Sequence, residues 1–208
     1  MVVNIKICVA MVGYLIASFL LAGISFGYLV VKFIGHRDIR KYGSGNVGAT
    51  NVWRTMGAKY GILTFLLDGF KSFLPVVVAR IILLKSPSNI FPPYFTSLTL
   101  LFAVSGHIFS PWLGWHGGKG VSSFILGLLA MNTGVFLTMV SSWLLTFFIF
   151  RISGLAALVS IVVTTIGSYF MLAMADFYVI LATTSLIFWA HRKNLRELIF
   201  TRNKAKTQ

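Results

Sequence analysis

The sequence is poor in acidic residues and in charge as a whole. It contains four Asp and Glu residues against 18 Lys and Arg residues, and charged residues make up 11% of the chain. A soluble globular domain is about one quarter charged. The shortage of carboxylates excludes the paired carboxylates of a glycosidase and a carboxylate-rich magnesium or calcium site. Because 57% of the residues are hydrophobic, most of the surface must face lipid, and we expect a polytopic membrane protein.

Cysteine is equally scarce, with Cys8 as the single example, inside an apolar run. One thiol excludes a disulfide framework and a cysteine-based metal site. The sequence also has no G-x-S-x-G segment, which would indicate the nucleophile of an α/β-hydrolase. We therefore expect neither a metal nor a cofactor.

The basic residues give a formal net charge of +14 and occupy short segments between the apolar runs. Nucleic-acid binding would require a basic stripe along a soluble module, so we expect no nucleic-acid partner. Short basic segments of this kind are typical of cytoplasmic loops beside anionic lipid headgroups.

Long apolar runs predict the membrane spans, since a helix needs about 20 such residues to cross roughly 30 Å of hydrocarbon. The predicted spans are 7–34, 60–84, 94–115, 153–175 and 177–190, with the last two turning near Asp176. The first run is too long for a signal peptide and passes directly into a basic loop, so we interpret it as a retained span.

The uncharged stretch 121–150 fits one long helix or two short ones. A turn at 132–134 would put Lys119 and Arg151 on the same side, which would then hold 14 of the 18 basic residues. The other side would hold Lys6, Arg80 and Lys85. By the positive-inside rule we predict an all-α fold of seven transmembrane helices, forming one domain over 1–208. The N-terminus is then outside and the C-terminus is cytoplasmic.

Three polar segments lie on the predicted cytoplasmic face, and the first covers residues 43–54. Backbone amides between closely spaced glycines bind anions, and Arg54 adds a guanidinium fork for phosphate. Gly43, Gly45 and Gly48 match G-x-G-x-x-G, but no strand precedes them, so we reject a dinucleotide site. The polar residues of the segment are Ser44, Asn46, Thr50 and Asn51.

The second segment covers residues 106–120 and contains Lys119 among glycines. It is not a P-loop, because Leu113 stands where that pattern requires glycine. An ammonium among exposed backbone amides still suits an anionic substrate. His107 lies inside a predicted span, where a polar side chain is costly, so it is either a substrate contact or a helix-packing histidine. The neighbouring glycines are Gly117, Gly118 and Gly120.

The third segment begins with His191 directly after the last span. His191 and Asn194 are three residues apart and share one helical face, so both could point toward the other segments. His191 is a candidate base, and an unperturbed histidine titrates near pH 6.5. Asp68 and Lys71 have the same spacing in the second span. They form either a self-neutralising ion pair or a site in which Asp68 orients a catalytic cation.

These three segments resemble, in order and spacing, the three motifs of the acyl-phosphate-dependent glycerol-3-phosphate acyltransferases of bacterial inner membranes. The matching stretches are 44–54, Gly106-His107 with 117–121, and 191–194. The resemblance implies transfer of a fatty acyl group from acyl phosphate to the 1-position hydroxyl of glycerol 3-phosphate. The products would be lysophosphatidic acid and phosphate, in the first step of phospholipid synthesis. It also implies seven helices and a cytoplasmic active site in a multi-pass inner-membrane protein, which we expect to be a monomer.

With this resemblance, each polar segment supplies site residues. The expected catalytic residues are Ser44, Arg54, Lys119, His191 and Asn194. The expected substrate-binding and phosphate-binding residues are Gly45, Asn46, Gly48, Thr50, Asn51, His107, Gly117, Gly118 and Gly120. The proton of the attacking hydroxyl goes either to His191 or to the substrate phosphate.

Two features of the sequence qualify the resemblance. No histidine has an aspartate five positions on, so the H-x-x-x-x-D pattern of the thioester-dependent relatives is absent, which fits a donor already activated as a mixed anhydride. In the third motif, Glu197, Thr201 and Asn203 stand where the family's arginine, glycine and glutamate are expected. Arg196 is a candidate replacement for the arginine.

A transporter of a phosphorylated metabolite is the main alternative, because its positive loops would bind the same anions. Such a protein should carry charges at mid-membrane on several spans and usually has inverted repeats. Here the mid-membrane candidates are Asp68, Lys71 and His107, and no repeat is evident. A lipid-binding structural protein is a third possibility, but it would not explain three polar motifs on one face.

Overall fold

The structure, a computed structural model, describes residues 5–86 and 90–196, and all regular structure in these residues is helical. The helices are α1 Ile5–Gly23, α2 Phe26–Ile34, α3 Ala49–Met56, α4 Ala58–Lys85, α5 Phe95–Ile108, α6 Val121–Met131, α7 Thr133–Phe150, α8 Ser153–Met171 and α9 Met174–Ala190. Short 3-10 helices cover Ile39–Lys41 and Pro111–Leu113, and residues 192–196 are helical again.

Several of these helices are suited to a lipid environment. In the described residues, four helical segments are long and apolar enough to cross a membrane: Ile5–Ile34, Ala58–Lys85, Thr133–Phe150 and Ser153–Met171. α6 and α9 are apolar but shorter, with 11 and 17 residues. Large hydrophobic side chains such as Phe148 and Phe170 are exposed on the helices, as lipid contact requires. The all-helical membrane class is confirmed, while the seven-span count and the orientation stay predictions.

The first predicted span, 7–34, is a broken helix instead of a continuous one. α1 ends at Gly23 and α2 begins at Phe26, so backbone polar groups at the break lack helical hydrogen-bond partners and need others. Two side chains of α4 bind these groups. Lys71 Nζ donates a hydrogen bond to the Ile24 carbonyl, and Asp68 Oδ1 accepts one from the Phe26 N–H at 3.2 Å. The predicted ion pair between Asp68 and Lys71 is confirmed, at 2.9 Å.

The loop after α5 completes the broken helix. Ser110 Oγ donates to the Gly23 carbonyl at 2.6 Å, and Trp112 Nε1 donates to the Leu20 carbonyl at 2.9 Å. The predicted third span, 94–115, was therefore too long. α5 ends at Ile108, and the segment that follows folds against the broken helix.

The stretch 121–150 forms two helices, α6 and α7, which meet at Asn132. The Asn132 side chain accepts a hydrogen bond from the Val135 N–H at 3.1 Å and caps α7, as asparagine commonly does at helix starts. The interpretation of this stretch as two helices is confirmed.

The last two spans turn slightly earlier than the predicted position near Asp176, since α8 and α9 are joined at Leu172 and Ala173. Asp176 lies in the first turn of α9, where a carboxylate is stabilised by the helix dipole. It also accepts a hydrogen bond from Ser97 Oγ at 2.7 Å, which ties α9 to α5.

The helix α4 lies at the centre of the packing. It contacts α3, α5 and α6 and also packs against α1 and α2. The largest group of buried hydrophobic residues contains side chains from every helix from α4 through α9, among them Leu100 on α5 and Phe124 on α6. A smaller group, including Val31, Ile39 and Val52, packs α2 against α3 and the 3-10 helix between them. These two groups hold the three polar segments at the ends of their helices.

Candidate active site

The first polar segment forms a tight loop organised by Asn51. This side chain is 2% exposed, donates to the carbonyls of Tyr42 and Asn46 at 3.0 and 2.8 Å, and accepts from the Ser44 N–H at 3.0 Å. Gly43 has a left-handed φ of 56°, and a Cβ there would overlap the Asn51 side chain. All the hydrogen bonds of the Asn51 amide that the structure describes therefore go to the loop backbone.

The loop runs into α3, which carries the remaining residues of the first motif. Asn46 Oδ1 accepts from the Gly48 N–H at 2.9 Å, closing a turn just before the helix. Gly48 stands at the N-cap and supplies no side chain to the first amides of α3. Thr50 Oγ1 lies 3.3 Å from Ser153 Oγ, so the first motif contacts the start of α8.

The glycines of the second motif pack against His107. The N–H groups of Gly117 and Gly118 donate to the carbonyls of Ile108 and His107, both at 3.0 Å. A Cβ at Gly118 would overlap the His107 ring, which is 4% exposed. The His107 ring thus packs against the glycine loop and supports it. In the described residues, the Nδ1 atom of His107 has no hydrogen-bond partner.

Lys119 and Asn194 join the second and third motifs. Lys119 Nζ donates a hydrogen bond to Asn194 Oδ1, and both residues are half-buried. Asn194 in turn packs on Gly154, where a Cβ would lie 3.1 Å from Asn194 Nδ2. Since Ser153 contacts Thr50, the first turn of α8 brings all three motifs together.

His191 is buried beside this junction at the end of α9, with 3% exposure. Its Nδ1 lies 2.8 Å from the Ile187 carbonyl, which only accepts, so Nδ1 carries the proton and Nε2 keeps a lone pair in the neutral ring. Burial lowers the pKa of His191 to about 4, and the positive charge of Lys119 adds to this shift against the Nδ1 hydrogen bond. The expected titration near pH 6.5 is thus corrected to a lower pH.

Three helix N-termini around the junction lack capping side chains. The N-cap residues of α3, α6 and α8 are Gly48, Gly120 and Ile152, and none of them has a side chain that accepts a hydrogen bond from its helix. Uncapped helix starts expose amide N–H groups and carry about half a positive charge each. Together with the Lys119 ammonium, they have the chemistry that favours anions.

Some predicted residues lie at the edges of this junction. Ser44 and Arg54 are exposed, and Arg54 lines a pocket with Arg37. Asp68 binds the broken helix and Lys71, and its Oδ1 lies 3.9 Å from Nδ1 of His107 in the second motif. Glu197, with Thr201 and Asn203, lies outside the described residues. In the described ranges no group of three metal-binding side chains occurs.

Ser153 and Gly154 contact residues of the first and third motifs, and the sequence interpretation missed them. They lie about 100 residues from the first motif and 40 from the third, and neither belongs to a glycine-rich loop. The available signal was the Ser-Gly pair at the start of a helix, two residues after the basic residue Arg151.

Comparison with known proteins identifies the family. The family model for glycerol-3-phosphate acyltransferase matches residues 12–201, nearly the whole chain. The chain belongs to this family. The glycerol-3-phosphate acyltransferase of Wolbachia pipientis subsp. Culex pipiens (strain wPip) is 36% identical over 191 residues, which is 91% of this chain and 95% of that protein. The enzyme of the same name from Pelagibacter ubique (strain HTCC1062) is 37% identical over 194 residues, covering 93% and 94%.

Two crystal structures of PlsY (YgiH), an integral membrane glycerol 3-phosphate acyltransferase, share the fold of this family member. The glycerol 3-phosphate form has a TM-score of 0.84 and 31% identity, over 93% of this chain and 94% of that one. The lysophosphatidic acid form has a TM-score of 0.81 and 29% identity, over 93% of each chain. The likeness therefore extends over nearly the full length of both molecules.

Proposed function

We propose that the protein transfers a fatty acyl group from acyl phosphate to the 1-position hydroxyl of glycerol 3-phosphate, giving lysophosphatidic acid and phosphate. The observation that carries the proposal is the junction of Lys119, Asn194 and His191 beside uncapped helix N-termini. Family membership supplies the acceptor, because the relatives are named for glycerol 3-phosphate. The acyl phosphate donor follows from the motif resemblance and from the missing H-x-x-x-x-D pattern.

The arrangement suits an acyl transfer without a covalent enzyme intermediate. The hydroxyl oxygen attacks the acyl carbon, the bond between that carbon and the phosphate oxygen breaks, and phosphate leaves with the electron pair. The developing oxyanion and the phosphates are stabilised by Lys119 and by the backbone amides. Because phosphate is a good leaving group, the site needs mainly positioning and charge stabilisation.

The hydroxyl proton requires an acceptor, and His191 is the protein's candidate. Its Nε2 keeps a lone pair, and the low pKa leaves the ring neutral at physiological pH. A second acceptor is the substrate phosphate, whose second pKa lies near 6. Asn194 and Ser44 would hold the glycerol phosphate, with Arg54 on a phosphate group.

Within the first two motifs, several residues hold the loop backbone in place and do not themselves contact substrate in this proposal. Asn51 and Asn46 shape the first loop, and His107 supports Gly117 and Gly118. In this proposal they are positioning residues for the amides that bind phosphate. Thr50 connects the first motif to Ser153, which we add as a candidate substrate contact.

The location follows from the charge distribution. We propose one transmembrane domain of seven spans in the bacterial inner membrane, with the site on the cytoplasmic face and the protein acting as a monomer without metal or cofactor. The basic loops support this orientation. The reaction would be the first step of phospholipid synthesis.

A phosphorylated-metabolite transporter stays the second candidate, because broken helices are common at transporter sites. The hydrogen bonds at the break between α1 and α2 argue against a transporter. Its backbone groups are bound by Lys71, Asp68 and Ser110, so they are not available to coordinate a substrate.

The test is a turnover assay with purified full-length protein in detergent. Acyl phosphate and glycerol 3-phosphate together should release phosphate and form lysophosphatidate, and omission of either substrate should abolish both products. An acyl thioester in place of acyl phosphate should give no product. Equal turnover with the thioester would contradict the proposed donor, and absence of product with both donors would contradict the acyltransferase.

A further inference from the structure

Asp68, on α4, belongs to a buried polar cluster with Lys71 and with His107 of α5. The exposed fraction of Asp68 is 0%, and those of Lys71 and His107 are 4% each. Oδ1 of Asp68 accepts a hydrogen bond from the Phe26 N–H at 3.2 Å and forms the ion pair with Lys71 Nζ at 2.9 Å. The same oxygen lies 3.9 Å from Nδ1 of His107. The carboxylate that supports the broken helix therefore also faces the second motif.

Two atoms of this cluster make no contact with the broken helix. In the described residues, Oδ2 of Asp68 and Nδ1 of His107 are buried and have no hydrogen-bond partner. A buried polar atom without a partner is costly and rare in native proteins, and it often marks a functional role. A carboxylate oxygen accepts hydrogen bonds and a protonated imidazole nitrogen donates them, so the two side chains are complementary.

The other nitrogen of the His107 ring faces the glycine loop of the second motif. A Cβ at Gly118 would overlap Nε2 of His107, so the loop backbone approaches the ring more closely than any other residue type would allow. The Gly118 N–H also donates to the His107 carbonyl at 3.0 Å. Lys119 follows directly in the chain and donates to Asn194 at the junction of the three motifs. The orientation of the His107 ring therefore affects the backbone that carries Lys119.

We propose that Asp68 is a positioning residue for the acyltransferase, which acts through His107 to fix the glycine loop and Lys119. The Asp68 carboxylate attracts the proton of His107 to Nδ1, and the hydrogen bond between them sets the tautomer and the orientation of the ring. The distance of 3.9 Å is longer than a hydrogen bond, so a small side-chain movement closes the pair when substrate is bound. Hydrogen bonds of this kind are often long in the free enzyme and shorten in the substrate complex.

The substitution Asp68→Asn separates the positioning role from the support of the broken helix. The asparagine carbonyl oxygen can still accept from the Phe26 N–H, but it carries no charge and accepts more weakly from His107. A carboxylate that only supported the break would have no effect through His107. The inference rests on the proposed function in one respect, because glycerol 3-phosphate is taken to bind beside Lys119.

The first test reads the tautomer of His107 in the free wild-type protein, which needs no substitution in the cluster. Full-length protein labelled with nitrogen-15 histidine is studied by NMR in a neutral detergent at about pH 8, where an ordinary histidine is neutral. The His107 signals are assigned by replacing His36, His116 and His191 in turn with glutamine. We expect a proton on Nδ1 of His107. An unprotonated Nδ1 would overturn the proposal, and this result does not depend on whether Asp68→Asn folds.

The second test measures the dissociation constant of radiolabelled glycerol 3-phosphate without an acyl donor. Asp68→Asn should raise this constant by about tenfold, which corresponds to about 1.4 kcal/mol. The matched control Asp176→Asn weakens the carboxylate contact that ties α9 to α5 and should change the constant by less than threefold. In protein that already carries His107→Phe, adding Asp68→Asn should change it by less than twofold, because the effect passes through His107. Equal effects of Asp68→Asn with and without His107 would overturn the proposal.

These outcomes are distinguishable from failure of the proposed function. Neither measurement uses an acyl donor, so a negative turnover assay with acyl phosphate would leave both results interpretable. Absence of glycerol 3-phosphate binding to wild-type protein would contradict the proposed acceptor, and the tautomer of His107 would still decide whether Asp68 orients the ring.

Discussion

The substitution His191→Gln tests the proton acceptor, and the structure sets the size of the effect. Glutamine is similar in size and can still donate to the Ile187 carbonyl, but it cannot accept a proton as a base. If His191 is the base, kcat should fall by about 10²–10⁴. His36→Gln is the matched control, since His36 is exposed in a bend and belongs to none of the three motifs. Retention of at least one third of the wild-type kcat in the His191→Gln protein would refute a base role.

The pH dependence separates His191 from the substrate phosphate. With a pKa of about 4, His191 stays neutral through the physiological range, so a histidine base predicts constant kcat/KM from pH 8 down to about 5. The phosphate monoester has its second pKa near 6, so a phosphate acceptor predicts a fall in kcat/KM through that value. A fall near pH 6 that persists in His191→Gln would assign the proton to the substrate.

The same residue should make stability pH-dependent. Its pKa in the folded protein lies below the usual 6.5, so the unfolded chain binds the proton more readily. The stability that the neutral, buried ring provides is present above pH 6.5 and is lost as the pH falls to about 4. At about 1.4 kcal/mol per pKa unit, the loss is about 3 kcal/mol. Thermal unfolding of wild type and His191→Gln between pH 7 and 4 measures it, and parallel curves would contradict the burial argument.

Three further predictions concern the other motifs and the orientation. Lys119→Ala should lower kcat/KM by about 10²–10³ through lost anion stabilisation. The control Lys193→Ala removes an exposed flanking charge and should leave kcat/KM unchanged. A Lys119→Ala enzyme with kcat/KM within threefold of wild type would remove Lys119 from the site. Asn51→Ala breaks three loop hydrogen bonds worth about 0.5–1.5 kcal/mol each. Both the melting temperature and the affinity for glycerol 3-phosphate should therefore fall. Unchanged affinity would show that the loop does not contribute to substrate binding. A reporter fused after Gln208 should be cytoplasmic and one inserted at Asn89 external, and an external Gln208 reporter would contradict the seven-span topology.

The helical class was predictable from composition, because a chain with so few charges and long apolar runs has few alternatives in lipid. The break between α1 and α2 was not. The residues at the break, such as Ile24, are compatible with a continuous helix, and the groups that bind the exposed backbone lie far away on α4 and the loop after α5. The hydrophobic periodicity of a sequence cannot predict hydrogen bonds between residues so far apart in the chain.

The candidate site was predictable where the residues themselves carry the chemistry. Lys119 and Asn194 were both expected in the site, since an ammonium among glycines and an amide after a span both suit anions, and the structure brings their side chains into contact. The part played by Asn51 depends on which backbone groups surround it, and the low pKa of His191 depends on its burial and on Lys119. Contacts of this kind exist only after folding, so a list of polar residues could not give them.

The pairing of α4 with the broken first helix has a consequence for membrane insertion. A lysine or aspartate at the centre of an isolated membrane helix costs about 2.5–3.5 kcal/mol each, and exposed backbone groups in lipid are costly as well. Lys71 Nζ and Asp68 Oδ1 hydrogen-bond to backbone groups of the break, so each segment supplies partners for polar groups of the other. Although both segments are long and apolar enough to span a membrane, each is more stable in lipid when the other is present, so the translocation machinery should release them into lipid together, after the N-terminal segment has met α4.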